Sequence, residues 1–99
     1  MSVTKYQIFL KTVEKGSFTA AAREMNFTQS GVSHAISSLE EELGVTLLVR
    51  SHGGVTPTAD GRALTPYFEE MCALQHRLEQ HAADLRGLET GLVRVATFT

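Results

Sequence analysis

Polar side chains that can form directional hydrogen bonds recur between residues 29 and 37, at spacings that place them on one side of a helix. They are Gln29, Ser30, Ser33, His34 and Ser37. Hydroxyls beside an imidazole can serve nucleophilic catalysis, and the same groups can instead bond to a polar partner without any covalent step. No Asp–His arrangement lies near the serines, and the sequence has no glycine-rich phosphate loop, so an enzyme is not predicted. A small hydrolase is therefore the weaker interpretation, and recognition through hydrogen bonds is the stronger one.

Composition narrows the remaining classes. The chain has 99 residues, a net charge of −2 and one cysteine, which suits one small globular unit without a disulfide framework in a reducing cytoplasm. Cys72 is expected to be a small buried hydrophobe. His34 and His52 lack further ligands at metal-binding spacing, and His76 and His81 do not share a helix face, so neither a metal nor a cofactor is expected. No apolar run approaches the roughly 18 residues of a membrane span, and the first residues do not resemble a secretory signal.

Apolar periodicity predicts three helices in the first half of the chain, at residues 3–15, 18–25 and 29–43. Ser17 and Thr28 precede the second and third helices as N-caps. Periodicity alone fits an ordinary three-helix bundle as well as a helix-turn-helix. The polar face of the third helix favours the helix-turn-helix, because glutamine can bond adenine, and serine can bond bases or phosphates.

Two short extended runs follow, at residues 45–50 and 55–56, around a glycine-containing turn. They predict a β-hairpin, and three helices with such a hairpin form a winged helix-turn-helix. Arg50 ends the first run and is either a clamp on a DNA phosphate or an ion-pair partner of the acidic cluster Glu40–Glu42. The sequence leaves these two alternatives open.

Thr58 is predicted to cap a long helix over residues 59–88. Pro66, about two turns in, removes a helix hydrogen bond and is expected to bend or loosen that turn. About 25 residues of helix span roughly 37 Å, too far to pack along one small body. One face carries an a/d seam that predicts pairing with a second copy. The seam consists of Leu64, Tyr67, Met71, Leu74, Leu78, His81, Leu85 and Leu88.

The segments GSFTAAAREM, FTQSGVSHAISSLEEELGVTLLVR and TPTADGRAL resemble the N-terminal region of LysR-type bacterial transcriptional regulators. The resemblance implies a mainly α fold, with a winged helix-turn-helix DNA-binding domain at residues 1–58 and a linker and dimerisation helix at 59–89. Residues 90–99 would form a hinge and the first strand of a missing C-terminal domain that binds a small-molecule effector. The partners implied are double-stranded DNA and a second copy, with tetramers when the protein is full length.

The same resemblance assigns DNA-contacting positions. They fall on Thr28, Gln29, Ser30, Ser33, His34 and Ser37 in the third helix, with Arg50 and Thr58 on the DNA backbone near the wing. We expect Gln29, Ser33 and His34 to read base edges. The family often has proline where this chain has Ser30, and arginine or lysine where it has His34. Simple solvation is the alternative for an exposed histidine such as His34.

Charge is the feature that fits DNA binding least well. Residues 1–57 contain five Lys or Arg and five Glu, whereas a DNA-binding unit is usually basic. We therefore expect few phosphate contacts per subunit and a shallow salt dependence. A protein-interaction or dimerisation module, or another winged-helix family, remains the alternative that the residues alone leave open.

Overall fold

A computed structural model describes residues 3–90, with side chains described up to residue 87. Within this range the elements are α1 (Thr4–Lys15), α2 (Phe18–Met25), α3 (Gln29–Leu43), β1 (Leu48–Ser51), β2 (Gly54–Pro57) and α4 (Ala59–Thr90). The two strands pair in antiparallel register, with Arg50 opposite Val55. The predicted winged helix-turn-helix with a long C-terminal helix is confirmed. The strand predicted near residues 92–98 lies outside the described residues.

Local side-chain chemistry sets the helix limits. The Ser17 hydroxyl accepts the Ala20 N–H at 3.1 Å, and the Thr28 hydroxyl accepts the Gly31 N–H at 3.0 Å. Each bond satisfies an N–H group that has no partner within its own helix. Asn26, with φ of 62°, ends α2 in the left-handed conformation and makes the turn between α2 and α3. The predicted caps at Ser17 and Thr28 are therefore present.

An aromatic cluster joins α4 to the three-helix unit. Phe9 of α1 is fully buried, and its ring meets Phe68 of α4 edge to face at a centroid distance of 5.2 Å. The ring of Tyr6, also on α1, lies at a centroid distance of 5.0 Å from Phe68. Phe68 is not part of the predicted a/d seam, since it lies between two of the seam positions. The described part of α4 is continuous through Pro66.

Residues 46–48, which we call the junction segment, connect three elements. The Glu40 carboxylate of α3 accepts the N–H groups of Leu47 at 2.7 Å and Leu48 at 3.2 Å. On the other side, the Thr58 N–H donates to the Leu47 carbonyl at 2.9 Å, and the Thr58 hydroxyl donates to the Thr46 carbonyl at 2.6 Å. These bonds replace strand pairing, so β1 begins at Leu48 and not at the predicted residue 45.

The first turn of α4 lies against the junction segment. A Cβ atom at Gly61 would stand 2.3 Å from the Leu47 carbonyl oxygen, closer than any real contact. Only glycine allows this approach without moving the backbone. Gly61 therefore determines how closely α4 can begin against the winged unit.

We predict that Gly61→Ala lowers the free energy of unfolding by about 1–3 kcal/mol, because the added methyl forces α4 away from the Leu47 carbonyl. Gly87→Ala is the matched control, since a Cβ at Gly87 meets nothing within 4 Å. In a helix this control should be neutral or stabilising by up to about 1 kcal/mol. Urea unfolding of both variants measures the effect, and equal stabilities would contradict it.

We also predict that Glu40→Ala destabilises the protein by about 1–3 kcal/mol, because it leaves the Leu47 and Leu48 N–H groups without their acceptor. Amide exchange at Leu47 and Leu48 should accelerate selectively. Glu41→Ala removes the same charge from an exposed neighbouring position and should change stability by less than about 0.5 kcal/mol. Unchanged exchange at both leucines in Glu40→Ala would show that the carboxylate does not hold the segment.

Candidate nucleic-acid interface

One side of α3 presents the polar residues selected from the sequence. Five of them are exposed and Ser33 is half-buried; the exposed ones are Thr28, Gln29, Ser30, His34 and Ser37. The structure thus brings the predicted set together on one face. Gln29 supplies an amide, His34 an imidazole and the others hydroxyls, so the face offers hydrogen-bond donors and acceptors and carries no acidic side chain among these six positions.

The opposite side of α3 fixes the direction of that polar face. Val32 and Leu39 are fully buried and Ile36 is 3% exposed. Lys5 of α1 bonds to α3 from outside the core, through the Ser38 hydroxyl at 2.8 Å and the Glu42 carboxylate at 2.6 Å. The helix cannot rotate about its axis without losing these contacts, so the polar face is held in one orientation before any partner binds.

Two hydroxyls stand at the N-terminal end of α3. The Thr28 hydroxyl accepts the Gly31 N–H and lies 3.3 Å from the Ser30 hydroxyl. An exposed helix N-terminus with such hydroxyls suits an anionic oxygen, because its N–H groups and the helix dipole both favour negative charge. Thr28 and Ser30 are therefore suited to contact a phosphate group.

Arg50 lies where the hairpin meets α2 and α3. Its guanidinium carbon is 4.6 Å from the centroid of the Phe18 ring. It lines a cleft between α3 and the hairpin together with Ser33 and Ser37. Phe18 is absent from the predicted functional residues. Its position next to the Ser17 cap indicates only that it begins α2, and its contact with Arg50 is seen only in the fold.

The alternative ion pair between Arg50 and the acidic cluster is wrong. Glu40 is bonded to the Leu47 and Leu48 N–H groups, and Glu42 pairs with Lys5. The ion pairs found in the described residues do not include Arg50. The cationic partner that the cluster needs at the C-terminal end of α3 is Lys5, which sequence spacing could not indicate because α1 and α3 meet only in the fold.

Thr58 has a structural role in the fold. Its hydroxyl accepts the Gly61 N–H at 2.9 Å while donating to the Thr46 carbonyl. The predicted cap at the start of α4 is confirmed by the first of these bonds. A phosphate contact by Thr58 stays a prediction, and its hydroxyl hydrogen is already donated to Thr46.

Ion pairing also explains how the charges of the winged unit are distributed. Three of its lysines pair with glutamates, as Lys5–Glu42, Lys11–Glu14 and Lys15–Glu24. Between residues 3 and 57, Arg23 and Arg50 are the basic side chains outside such pairs. The cationic charge available to a partner is therefore small, although the unit contains five basic residues.

The seam on α4 divides into two groups. Leu64 and Met71 are half-buried against the core of their own subunit. The others with described side chains point into solvent: Tyr67 is 61% exposed, Leu74 58%, Leu78 66% and Leu85 51%, and His81 is also exposed. The side chain of Leu88 lies outside the described residues. Such a row of large exposed apolar side chains marks an interaction surface.

The described residues contain no group of three His, Cys, Asp or Glu side chains that could hold a metal ion. Cys72 is half-buried, and desolvation raises the pKa of its thiol above the ordinary value. The thiol is therefore neutral near pH 7 and a weak nucleophile. In the described part of the chain, no helix is both long and apolar enough to cross a bilayer.

Known proteins have sequences and folds that are similar to those of this chain. The uncharacterized HTH-type transcriptional regulator YvbU of Bacillus subtilis is 39% identical over 100 residues, covering 100% of this chain and 34% of YvbU. The HTH-type transcriptional activator AmpR of Rhodobacter capsulatus is 36% identical over 91 residues, covering 92% of this chain and 32% of AmpR. The chain thus spans about a third of the length of these relatives.

Solved structures of similar proteins have a similar fold. The crystal structure of a CbnR DBD–DNA complex superposes with a TM-score of 0.79 at 29% identity, over 87% of this chain and 99% of that one. The BenM DBD/catB site 1 DNA complex gives a TM-score of 0.80 at 29% identity, over 87% of this chain and 97% of that one. The sequence model of bacterial regulatory helix-turn-helix proteins of the lysR family matches residues 3–62. The chain therefore belongs to the lysR family of bacterial regulatory helix-turn-helix proteins.

Proposed function

We propose that this chain is the DNA-binding part of a sequence-specific transcriptional regulator and that it inserts α3 into the major groove of double-stranded DNA. The observation that carries the proposal is the fixed, exposed polar face of α3 beside the hairpin. The same fold has been solved on DNA in the CbnR and BenM complexes, and the curated relatives are transcriptional regulators and not enzymes.

In this proposal the polar face divides by the chemistry of its side chains. Gln29, Ser33 and His34 bond to base edges, where the glutamine amide suits the two adenine groups in the major groove. Thr28 and Arg50 bond to phosphates and set the register of the protein on the duplex. Ser30, Ser37 and Thr58 complete the proposed contact set. The free cations are few, so specificity comes more from hydrogen bonds than from charge.

We further propose that the protein acts as a homodimer through α4. A single subunit leaves four large apolar side chains of α4 exposed, and a second α4 would cover them. The pair of long helices would hold two winged units so that their recognition helices enter successive major grooves of an imperfect dyad. Tetramers of the full-length protein would bring two such pairs together.

The relatives are about three times as long as this chain. We propose that the additional length holds an effector domain that binds a small molecule and changes how the dimer sits on DNA. Action on chromosomal DNA would place the protein in the bacterial cytoplasm. A cofactor is not part of the proposed mechanism of this chain.

We predict that Gln29→Ala and His34→Ala each weaken binding to the operator by about 1–3 kcal/mol per half-site and relax the base preference at the contacted positions. The first measurement is footprinting on the DNA that flanks the gene, followed by titration of the protected site with competitor DNA present. Gln7→Ala and His76→Ala, at exposed positions on α1 and α4, are the matched controls.

Two results would contradict this assignment. Unchanged affinity and base preference in both variants would show that α3 reads DNA through other residues. A wild-type protein that forms no complex resistant to competitor DNA would remove the proposed function and favour a protein-interaction module.

We predict that Leu78→Glu converts the dimer into monomers, with a dimer dissociation constant raised at least about tenfold. The reason is that pairing of the α4 helices would bury an unpaired carboxylate. Sedimentation equilibrium measures the change. Ala73→Glu places the same charge at another exposed position on α4, close to the opposite side, and should leave the dimer intact. Dimerisation of Leu78→Glu with wild-type affinity would show that the seam is not the interface.

A further inference from the structure

The strand pleat places Arg50 on the side of β1 that faces the helices, although the residue as a whole is exposed. In β1, side chains alternate between the two sides, and Leu48, which is on the same side as Arg50, is 8% exposed and belongs to the core. Val49 points outward and is 46% exposed. The Arg50 side chain therefore starts from the inner side of the hairpin, and its charged end reaches the surface across the ring of Phe18.

One backbone contact holds the hairpin against the segment that precedes α2. Val55, which pairs with Arg50 across the hairpin, donates its N–H to the Gly16 carbonyl at 3.0 Å. Gly16 lies two residues before Phe18. A Cβ at Gly54 would stand 2.1 Å from the Gly16 carbonyl oxygen, so the hairpin approaches the start of α2 as closely as backbone allows. The backbone thus fixes where the Phe18 and Arg50 side chains begin relative to each other, and the contact between guanidinium and ring is made by the side chains.

The acidic residue that lines the cleft does not form an ion pair with Arg50. Glu40 lines the same cleft, but its carboxylate already accepts two N–H groups of the junction segment. The guanidinium therefore rests on an aromatic face. A cation over an aromatic ring is attracted without being neutralised, so its charge and its N–H donors remain available to an anion.

We propose that Phe18 is a positioning residue for DNA binding: its ring holds the Arg50 guanidinium at the mouth of the cleft between α3 and the hairpin, ready for a backbone phosphate. This inference rests on the proposed DNA-binding function. An arginine side chain that is already ordered loses less conformational freedom when it binds. In a unit whose lysines are largely engaged in ion pairs, such ordering of Arg50 contributes directly to affinity.

A double-mutant cycle on the operator tests the proposal. Phe18→Leu removes the ring, Arg50→Ala removes the cation, and the double variant removes both. Phe18→Tyr retains an aromatic face and serves as the rescue variant. Phe9→Leu is the matched control, because it makes the same change at a buried ring of the core that contacts Phe68. All dissociation constants are corrected for the folded fraction, which is measured by circular dichroism.

We expect Phe18→Leu to weaken binding about three- to tenfold per half-site, the size expected for ordering one long side chain. Phe18→Tyr should bind within twofold of wild type, and Phe9→Leu should bind normally once folded. In the Arg50→Ala background, Phe18→Leu should cause no further loss. Arg50→Ala should also reduce the slope of log K against log salt by about 1 per subunit, whereas Phe18→Leu should leave it unchanged, because the phosphate contact still forms.

An equal loss from Phe18→Leu with and without Arg50 would overturn the proposal. So would free wild-type protein in which nuclear relaxation shows the Arg50 Nε–H to be as mobile as that of Arg77, an exposed arginine of α4. The relaxation measurement needs no variant, so it decides the matter even if Phe18→Leu fails to fold. If the wild-type protein forms no DNA complex, the proposed function is refuted. The relaxation measurement on the free protein still shows whether the Arg50 side chain is ordered.

Discussion

The arrangement of this protein depends on how the backbone of the junction segment, in which Leu47 and Leu48 are buried, obtains its hydrogen bonds. Buried N–H and C=O groups must be paired, and residues 46 and 47 lie outside both strands. Glu40 satisfies two N–H groups from the α3 side, and Thr58 bonds to two carbonyls from the α4 side. The helix α3, the hairpin and α4 are therefore joined through one short piece of chain.

The contacts of the junction segment help to explain why α4 can both pack on its own subunit and offer an apolar surface to a partner. Gly61 lets its first turn approach the junction segment closely, and Phe68, about two turns further on, packs against Tyr6 and Phe9. Leu64 and Met71 of the seam pack against the core of their own subunit. Tyr67 and the seam leucines from Leu74 onward with described side chains are exposed and are left for a partner helix. A strict a/d pattern conceals this division because both uses require the same residue types.

Local signals in the sequence predicted the fold well. The positions of Ser17 and Thr28, and the period of the apolar residues, identified the helices to within a residue or two, since caps and periodicity act over a few neighbouring positions. The polar face of α3 was found for the same reason. Contacts between distant parts of the chain were not: the roles of Lys5, Glu40 and Phe18 depend on which elements meet. The choice between two partners for Arg50 was likewise decided by tertiary contacts, which spacing does not contain.

Those same contacts reconcile a neutral composition with DNA binding. A glutamate that pairs with a lysine or accepts backbone N–H groups has its charge compensated within the fold. In the ion pairs of Lys5, Lys11 and Lys15, one positive and one negative charge offset each other. What matters to a phosphate is the charge that remains at the interface, and there Arg50 rests on an aromatic ring without a counter-ion. One unpaired cation beside a face of amide, imidazole and hydroxyl groups favours recognition in which geometry contributes more than total charge. In the proposed complex, such an interface would discriminate sequences by the fit of its hydrogen bonds, because non-specific attraction to the duplex would be small.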